Sequence, residues 1–338
     1  MGRLPFGSSE PQAGRLGNAP PGMDLYSEGM NRPEARELQY FVAVAEELHF
    51  GRAAERLGIE QPPLSRAISR LERHLGVRLL ERTTRSVALT PAGSVLLEES
   101  RVALDAIDAA TRRAQRAGAE EAVLPVALKS EGDASLLRLV LSAYEREDDA
   151  IPIEVVMATW GQEAAMLRDG RAEVALLRTP LDERGLDYEK LLTEPRLVSM
   201  HADHRLASRR RLRLADLRDE VRPSWVGVDG ASTAYWAGRD GEANAESRKT
   251  GAPLGPVVSD IGQVLRVVEL GQAIAFVPRS IAERYPWPGI VYRPVADLSS
   301  STVVVAWSKS SRSLAVAAFV RAATSLARSD PELVIALG

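Results

Sequence analysis

The segment from Arg52 to Glu72 constrains the fold of this chain more than any other part of its sequence. Apolar residues recur at helical spacing on both sides of Gly58, a residue type that permits a tight turn between two helices. Ala53 and Ala54 allow the first of these helices to approach the second closely. The apolar side chains of the small core between them come from Leu57, Ile59, Leu64 and Ile68. The pattern predicts a helix-turn-helix whose second helix extends from about Pro62 to His74.

The outward side of the second helix carries residue types that bind nucleic acids. With the apolar side buried, the residues that face outward are Gln61, Pro62, Pro63, Ser65, Arg66, Ser69 and Arg70. Glutamine and arginine side chains can each form two hydrogen bonds with an adenine or a guanine. Between Arg66 and Arg85 the sequence has six arginines and two glutamates, although the whole chain has a net charge of -3. This local positive charge, combined with the helix pattern, favours DNA contact over a merely solvated basic surface.

Shorter patterns flank this helix pair. The apolar residues of a preceding helix are Leu38, Phe41, Val42 and Ala45. Two alternating stretches, Leu79–Arg82 and Ser86–Leu89, follow the pair and predict a small hairpin. Residues 1–31 are rich in Gly, Pro and Ser and have few large apolar side chains, which predicts a disordered leader.

A long helix is predicted after the hairpin. Thr90 suits its N-cap, Pro91 suits its first position and Gly118 suits its end. At about 1.5 Å per residue the helix is about 40 Å long. The apolar seam along it consists of Leu97, Leu104, Ile107, Thr111 and Ala114. Because the seam is narrow, it predicts pairing with another helix rather than packing on its own chain.

Beyond Val123 the sequence alternates between strand-like and helix-like patterns. The strand-like runs are Leu124–Leu128, Ile153–Met157, Val174–Leu177, Leu197–Met200, Trp225–Val228, Ala273–Val277 and Thr302–Trp307. The helix-like runs between them include Leu136–Arg146, Gln162–Asp169, Asp260–Leu270 and Leu314–Leu326. Such alternation predicts an α/β region with open, mostly parallel sheets and ligand crevices at the strand ends.

Composition excludes several classes of protein. The chain has no cysteine, which excludes disulfide scaffolds, thiolate zinc sites and cysteine nucleophiles. Its four histidines argue against a histidine-rich metal centre. No apolar run approaches the roughly 20 residues of a membrane span. No serine–histidine–aspartate arrangement or paired-carboxylate spacing is visible in the sequence. We therefore expect a cytoplasmic protein that is not an enzyme and has no metal or cofactor.

Three stretches together resemble the N-terminal domain of LysR-type transcriptional regulators. They are Leu38–Phe50, Arg52–Glu72 and Leu75–Gly93, with looser agreement in Met166–Val174 and Ala273–Pro278. The resemblance implies a winged helix-turn-helix over 32–90 and a dimerising linker helix over 91–118. It also implies an effector-binding domain over 122–330, two-lobed and similar to periplasmic binding proteins. The first lobe would comprise 122–195 and 295–330, and the second 196–294.

The resemblance also implies where this chain contacts DNA. The second helix of the pair would enter the major groove, and Arg82 and Arg85 would lie at the wing, near phosphate or the minor groove. The implied contacts on the helix are Gln61, Pro62, Pro63, Ser65 and Arg66, to which the outward pattern adds Arg70. Glu60 departs from the family, which often has serine there. A carboxylate suits the helix dipole but is unfavourable beside phosphate, so it points away from DNA or weakens binding.

The family's small-molecule site lies between the two lobes. At the corresponding positions Ser130 and Thr159 would hydrogen-bond a ligand carboxylate, and Arg178 would pair with it. A one-residue slip of the alignment would bring Glu131 and Trp160 there instead, and Asp229 lies in the second lobe. Glu131 would repel an acidic ligand, whereas Trp160 would stack on a ring or fill the cavity. Capping of helices and turns is the alternative role for each of these residues.

These observations predict a sequence-specific DNA-binding regulator that forms a homodimer or homotetramer through the linker helix. Its partners would be double-stranded DNA with an interrupted dyad, a small-molecule effector and, for activation, RNA polymerase. Two other hypotheses stay open. One is a solute-binding or enzymatic α/β protein with an appended helical domain and no DNA affinity. The other is a regulator without an effector, whose cleft is filled by its own side chains, Trp160 among them.

Overall fold

The computed structural model describes residues 32–83, 86–226, 230–239 and 254–329. The predicted leader over 1–31 and the predicted site residues Arg85 and Asp229 lie outside these ranges. The chain divides into two compact units, Met1–Ser100 and Arg101–Gly338. Each unit is described by itself.

The first unit is a three-helix core with a small hairpin. Its elements are α1 (Ala35–Glu47), α2 (Phe50–Leu57), α3 (Gln61–Leu75), β1 (Leu80–Arg82), β2 (Val87–Leu89) and the beginning of α4 (Pro91–Ala117). The side chains with no exposed surface in this core include Phe41, Leu64, Ile68 and Leu71. β1 and β2 pair antiparallel. The structure therefore confirms the helix-turn-helix and the hairpin predicted from apolar spacing.

Local chemistry fixes the ends of these helices. Gly58 closes α2 with a φ of 65°, the left-handed conformation that glycine adopts without strain. The His49 Nδ1 atom accepts hydrogen bonds from the amides of Gly51 and Arg52, which caps α2. Thr90 Oγ1 accepts a 2.9 Å hydrogen bond from the Gly93 amide, so Thr90 is the N-cap of α4 as predicted.

The second unit contains a five-stranded sheet. Its strands are β3 (Leu124–Lys129), β4 (Ile153–Ala158), β5 (Val174–Arg178), β6 (Leu186–Glu194) and β12 (Ser301–Ser308). Their order across the sheet is β4-β3-β5-β12-β6. Its helices are α5 (Leu137–Tyr144), α6 (Glu163–Arg168) and α10 (Leu314–Ser329). β3 pairs parallel with β4 and β5, whereas β12 pairs antiparallel with β5 and β6.

The same unit contains two smaller sheets. Their strands are β7 (Arg196–His201), β8 (Arg222–Trp225), β9 (Leu254–Val258), β10 (Ala275–Pro278) and β11 (Ile290–Pro294). The helices beside them are α7 (Gly230–Trp236), α8 (Ile261–Glu269) and α9 (Arg279–Arg284), with a 3-10 turn at Leu214–Leu217. β7 lies between β10 and β11, antiparallel to both, and β8 pairs parallel with β9. No helix in the described part of the chain is long and apolar enough to span a membrane.

The expectation of mostly parallel sheets is wrong for this unit. Among the described strands, β12, β10 and β11 all pair antiparallel with their neighbours. After β6 the chain passes through the smaller sheets and returns to the five-stranded sheet at β12, which follows β11. The direction of β12 is therefore not set by a short strand–helix–strand crossover, which is the connection that makes neighbours parallel.

Candidate nucleic-acid interface and small-molecule cavity

α3 presents one buried and one exposed side. Its buried residues are Leu64, Ala67, Ile68 and Leu71. The predicted contact residues Gln61, Pro62, Pro63 and Arg66 are exposed, and Ser65 is half-buried. Because proline has no amide hydrogen, prolines at the start of a helix cost no hydrogen bond there. The remaining free amides of the first turn give this end of α3 a partial positive charge, which favours a phosphate nearby.

Glu60 is the N-cap of α3, and its exposed carboxylate makes no capping hydrogen bond. Its backbone is extended, with φ -75° and ψ 151°, so the helix begins immediately after it at Gln61. The predicted start at Pro62 is therefore one residue late.

Arg70 is exposed but is already bound to a carboxylate. Its Nε atom lies 2.9 Å from Glu37 Oε1, and the side chain of Glu37 is only 9% exposed, compared with 63% for Arg70. The ion pair ties α3 to α1. DNA contact by Arg70 stays a prediction, and it would have to use the donors that the ion pair leaves exposed.

Glu72 attaches the hairpin to α3. Its Oε1 atom accepts hydrogen bonds from the Leu79 amide at 3.0 Å and the Leu80 amide at 3.1 Å. Its Oε2 atom lies 3.0 Å from Arg82 Nη2. The Arg82 guanidinium also lies 4.8 Å from the centroid of the Phe50 ring. The predicted wing residue Arg82 therefore connects the hairpin to both α2 and α3.

α4 exposes an apolar stripe that differs from the predicted seam. Leu97 is 8% exposed and belongs to the core of the first unit, so it is not available to a partner. The reason is that its side of α4 faces the three-helix core. The apolar residues of the exposed stripe are Val95, Val102, Ala106, Ile107, Ala110 and Ala114. Val95 is 65% exposed and Val102 is 49% exposed, which is unusual for valines in a helix.

The other side of the C-terminal half of α4 packs within the second unit. A Cβ atom on Gly170 would lie 2.9 Å from the Ala109 Cα atom, so only glycine permits this approach. Arg112 Nε donates to the Asp169 carbonyl at 3.2 Å, and Arg116 Nη1 donates to the Gly170 carbonyl at 2.8 Å. These contacts hold the helix in place and leave its apolar stripe outward.

A small cavity lies in the second unit between the five-stranded sheet and the smaller sheets. Four of the predicted effector residues line it, namely Ser130, Glu131, Trp160 and Arg178. Thr159 is exposed and does not line it. The cavity volume is about 20 Å³. That is space for about one water molecule, since a water needs at least about 10–15 Å³ by this measure.

Three tryptophans and a lysine close the cavity. The rings of Trp160 and Trp225 are stacked, with centroids 4.0 Å apart and planes 17° apart. Trp236 meets Trp160 edge-on at 5.6 Å. Lys129 is the last residue of β3, and its Nζ atom lies 3.9 Å from the centroid of the Trp160 ring. Trp160 thus lines the cavity and packs against Trp225, and its stacking on a ligand ring stays a prediction.

Burial changes the acidity of Lys129. Removal from water lowers the pKa of this lysine to about 8, and the positive charge of Arg178 acts in the same direction. The negative charge of Glu163 opposes both. At neutral pH the ammonium is therefore still mostly protonated.

The positive charge of Arg178 is balanced by a buried ion pair with Glu194. The Arg178 Nη2 atom lies 2.7 Å from Glu194 Oε1, and both side chains are buried. Ser301 Oγ accepts a hydrogen bond from Arg178 Nη1 at 2.9 Å. Ser280 donates its amide and its hydroxyl to the same Glu194 carboxylate. Pairing of Arg178 with a ligand stays a prediction, and it would compete with Glu194.

The carboxylate of Glu131 also has partners within the protein. It accepts a 2.7 Å hydrogen bond from the Tyr285 hydroxyl and lies 3.0 Å from Arg284 Nη1. The hydrogen bond to Glu131 raises the pKa of Tyr285. These bonds connect the loop after β3 to the end of α9 across the cavity. The repulsion predicted between Glu131 and an acidic ligand is thereby weakened.

Two family models match the chain. The model of the bacterial regulatory helix-turn-helix proteins of the lysR family matches residues 35–94. The model of the LysR substrate binding domain matches residues 117–328, more than half of the 338 residues. The chain belongs to the LysR family. The resemblance inferred from the sequence is confirmed.

Individual relatives agree with this assignment. The LysR-family chain is 30% identical to the Hca operon transcriptional activator HcaR of Escherichia coli (strain K12), over 85% of this chain and 96% of HcaR. It is 37% identical to the HTH-type transcriptional regulator AlsR of Bacillus subtilis (strain 168), over 55% of this chain but only 62% of AlsR. The chain thus spans less than two thirds of AlsR in that alignment.

A solved relative has the same fold. Full-length BenM is 25% identical, covers 88% of this chain and 98% of its own, and has a TM-score of 0.50. The architecture predicted from the sequence, a winged helix-turn-helix followed by a linker helix and a two-lobed α/β domain, is confirmed for this LysR-family chain.

Sequence reasoning assigned no role to four residues that organise these sites in the LysR-family chain. They are Glu72, Lys129, Trp225 and Trp236. A glutamate in an arginine-rich run and a lysine at the end of an apolar strand are both unusual in the sequence, and that is the signal that could have drawn attention to them. The two tryptophans carry no local signal, because they reach Trp160 only through tertiary folding.

Proposed function

We propose that this LysR-family protein is a transcriptional regulator that reads DNA sequence through the exposed side of α3. The observation that carries the proposal is the two-sided build of α3, in which Gln61 and Arg66 are exposed opposite a fully buried apolar side. Glutamine and arginine at that place can contact base edges in the major groove. The proposed wing contacts are Arg82 and Arg85, and action on DNA implies a cytoplasmic protein. Relatives such as HcaR are named as regulators and not as enzymes.

The exposed stripe of α4 supports a homo-oligomeric regulator. Val95, Val102 and Ala106 follow each other at spacings of seven and four residues, which brings them onto one side of the helix. Pairing of two such stripes would hide the exposed valines from water. Two copies of α3 related by a dyad would then read two half-sites, so the proposed operator is an interrupted near-palindrome.

The cavity supports regulation by a small molecule. In this proposal ligand binding shifts the two halves of the second unit against each other and changes how the dimers sit on DNA. Across the cavity those halves are connected by side chains, including Glu131 with Tyr285 and Trp160 with Trp225. A ligand that separates or replaces such contacts has the differential interaction that a conformational shift requires.

The filled cavity favours a second candidate function, a regulator that responds to no small molecule. Trp160 stacks on Trp225 in the cavity wall, and the remaining volume is about 20 Å³. This candidate predicts operator binding that no metabolite alters. A thermal-shift screen of metabolites distinguishes the two, since a ligand that binds the folded protein raises its melting temperature.

The DNA proposal is tested by sequencing genomic DNA that the full chain retains, and by measuring affinity for that DNA and for random DNA. Gln61→Ala should weaken operator binding by about 1–3 kcal/mol and leave random-DNA binding nearly unchanged, because a base contact carries sequence preference. Gln162→Ala, an exposed glutamine in the second unit, is the matched control and should change neither. Equal losses on both DNAs for Gln61→Ala would remove this residue from the readout. Retention of no specific sequence would overturn the function.

A further inference from the structure

Lys129 is the charged residue of the cavity wall whose charge is not matched by an ion pair. Its side chain is only 8% exposed. The other charged residues in the described wall are Glu131 and Arg178, which are paired with Arg284 and Glu194. No carboxylate of the described ranges forms an ion pair with Lys129, whose Nζ atom instead lies over the Trp160 ring. Glu163 is the nearby opposite charge, but it forms no ion pair with Lys129 and only partly offsets the cost of burying the ammonium. A buried ammonium without a direct partner is costly, so its presence in a cavity wall favours an anion that binds there.

Trp160 is the part of the wall best placed to move. It is half-buried and lies in the short loop after β4, immediately before Gly161, whose φ is 76°. Trp236 is 8% exposed and belongs to α7, while Trp225 belongs to β8. Side chains on helices and strands are held by more contacts than those in loops. A ligand therefore gains space most easily by displacing the indole of Trp160.

We propose that the cavity binds a small organic anion with a flat aromatic ring, whose charged group pairs with Lys129 and whose ring replaces the Trp160 indole against Trp225. The stacked geometry supports the ring, because an aromatic surface 4.0 Å from Trp225 is already favourable there. Lys129 Nζ lies 3.9 Å from the centroid of the Trp160 ring, which the ligand ring would replace. An anionic group that pairs with Lys129 would therefore lie next to the ligand ring. This inference rests on the proposed function only in that the cavity receives a small molecule.

The size of the cavity agrees with a ligand that replaces the Trp160 side chain rather than one that binds beside it. At about 20 Å³ the cavity cannot hold an aromatic acid while Trp160 stays in place. Space for about one water molecule is too small for an aromatic ring, so a side chain must leave before such a ligand enters. Trp160 thus acts as an internal occupant that a ligand has to displace.

The test is isothermal titration of the full chain with benzoate and with benzamide, which has the same shape without the charge. Trp160→Ala should bind benzoate about tenfold or more tightly than the unchanged protein, because the indole no longer competes. The variant should bind benzamide about tenfold or more weakly than benzoate. Adding Lys129→Met to Trp160→Ala should abolish the difference between the two probes. Trp287→Phe, a tryptophan outside the cavity wall, should leave benzoate binding unchanged.

Two results would overturn the inference. One is that Trp160→Ala fails to bind benzoate at millimolar concentration while its melting curve shows a folded protein. The other is that benzamide binds as well as benzoate. Should Trp160→Ala fail to fold, Trp160→Val opens less space and gives the same comparison. Operator binding is measured on the same samples. Benzoate binding without operator binding would count against the proposed regulator function and support the ligand site. Operator binding without benzoate binding would support the regulator function and count against the ligand site.

The pH dependence of binding gives an independent readout. Because a carboxylate pairs only with the protonated lysine, benzoate affinity of Trp160→Ala should fall as pH rises through the pKa of Lys129, while benzamide affinity stays constant. The charged groups that face Lys129 are Glu163 on α6, Arg178 on β5 and Glu131 in the loop after β3. A benzoate affinity that is constant from about pH 7 to pH 11, a range that includes the pKa of Lys129 with and without its burial, would exclude Lys129 as the anion receptor.

Discussion

Glu72 offers a sharp test of how the hairpin is attached to the DNA-binding helix. One carboxylate oxygen accepts the amides of Leu79 and Leu80, and the other pairs with Arg82. Glu72→Gln keeps one oxygen that can accept both amides and loses only the ion pair. Glu72→Ala loses all three interactions. The two variants therefore separate the backbone contribution from the ionic one.

The structure sets the expected magnitudes. Arg82 is 30% exposed, so loss of its ion pair with Glu72 should cost about 1 kcal/mol or less. The amides of Leu79 and Leu80 lie beside buried side chains, and an unsatisfied buried donor costs about 1–3 kcal/mol. We expect Glu72→Ala to lower the free energy of unfolding of the first unit by about 3 kcal/mol and Glu72→Gln by about 1 kcal/mol.

Because the chain has two units, a single melting temperature does not report on the first alone. Hydrogen exchange of peptides that cover 72–90, measured with increasing urea, isolates this unit. Glu81→Ala is the matched control, since Glu81 is an exposed glutamate on β1, and it should change stability by less than about 0.5 kcal/mol. Equal destabilisation by Glu72→Gln and Glu72→Ala would refute the argument that the backbone acceptor dominates.

Three further predictions concern packing, the buried ion pair and assembly. Gly93→Ala should destabilise the first unit by about 2–4 kcal/mol in urea unfolding, because a Cβ atom there would lie 2.0 Å from a backbone carbonyl. Gly118→Ala, with 3.7 Å of space, should be nearly neutral. Glu194→Gln should lower the free energy of unfolding of the second unit by about 3 kcal/mol, because it leaves Arg178 buried without its counter-ion. Hydrogen exchange of peptides that cover 174–194 in increasing urea measures this, and unchanged exchange there would contradict it. Val102→Glu should reduce the mass observed in sedimentation, and an unchanged mass would exclude pairing through the stripe of α4.

The DNA-binding unit could be predicted from sequence because its structure is set by near neighbours. Apolar residues at spacings of three and four define α1 to α3, and Gly58, Thr90 and Pro91 mark helix ends by local conformational preference. The hairpin follows from two short alternating runs. The contact role of Arg70 illustrates the limit. Its pairing with Glu37 joins residues from two different helices, and no spacing along the chain indicates it.

The second unit was harder to predict because its strands depend on partners far away in sequence. β6 was missed, since Asp187, Glu189 and Lys190 interrupt its apolar pattern at the edge of the five-stranded sheet. β9 and β11 were missed as well. Of the run predicted at Trp225–Val228, Trp225 is the last residue of β8, and residues 227–228 lie outside the described ranges. For the cavity, sequence indicated which loops meet but not that a lysine and three tryptophans would close it.

The burial of Lys129 in the cavity wall lowers the stability of the folded protein. The pKa of this lysine falls from 10.5 to about 8, and such a shift corresponds to about 3 kcal/mol. Below pH 8 the folded protein carries this penalty in full, and it is relieved as pH rises from 8 towards 10.5, so Lys129 favours unfolding most under neutral conditions. Contact with the Trp160 ring offsets only about 1–2 kcal/mol of it. An anion that pairs with Lys129 would raise the pKa of this lysine again and remove the penalty, so the unfavourable burial of Lys129 adds to the affinity for an anionic ligand.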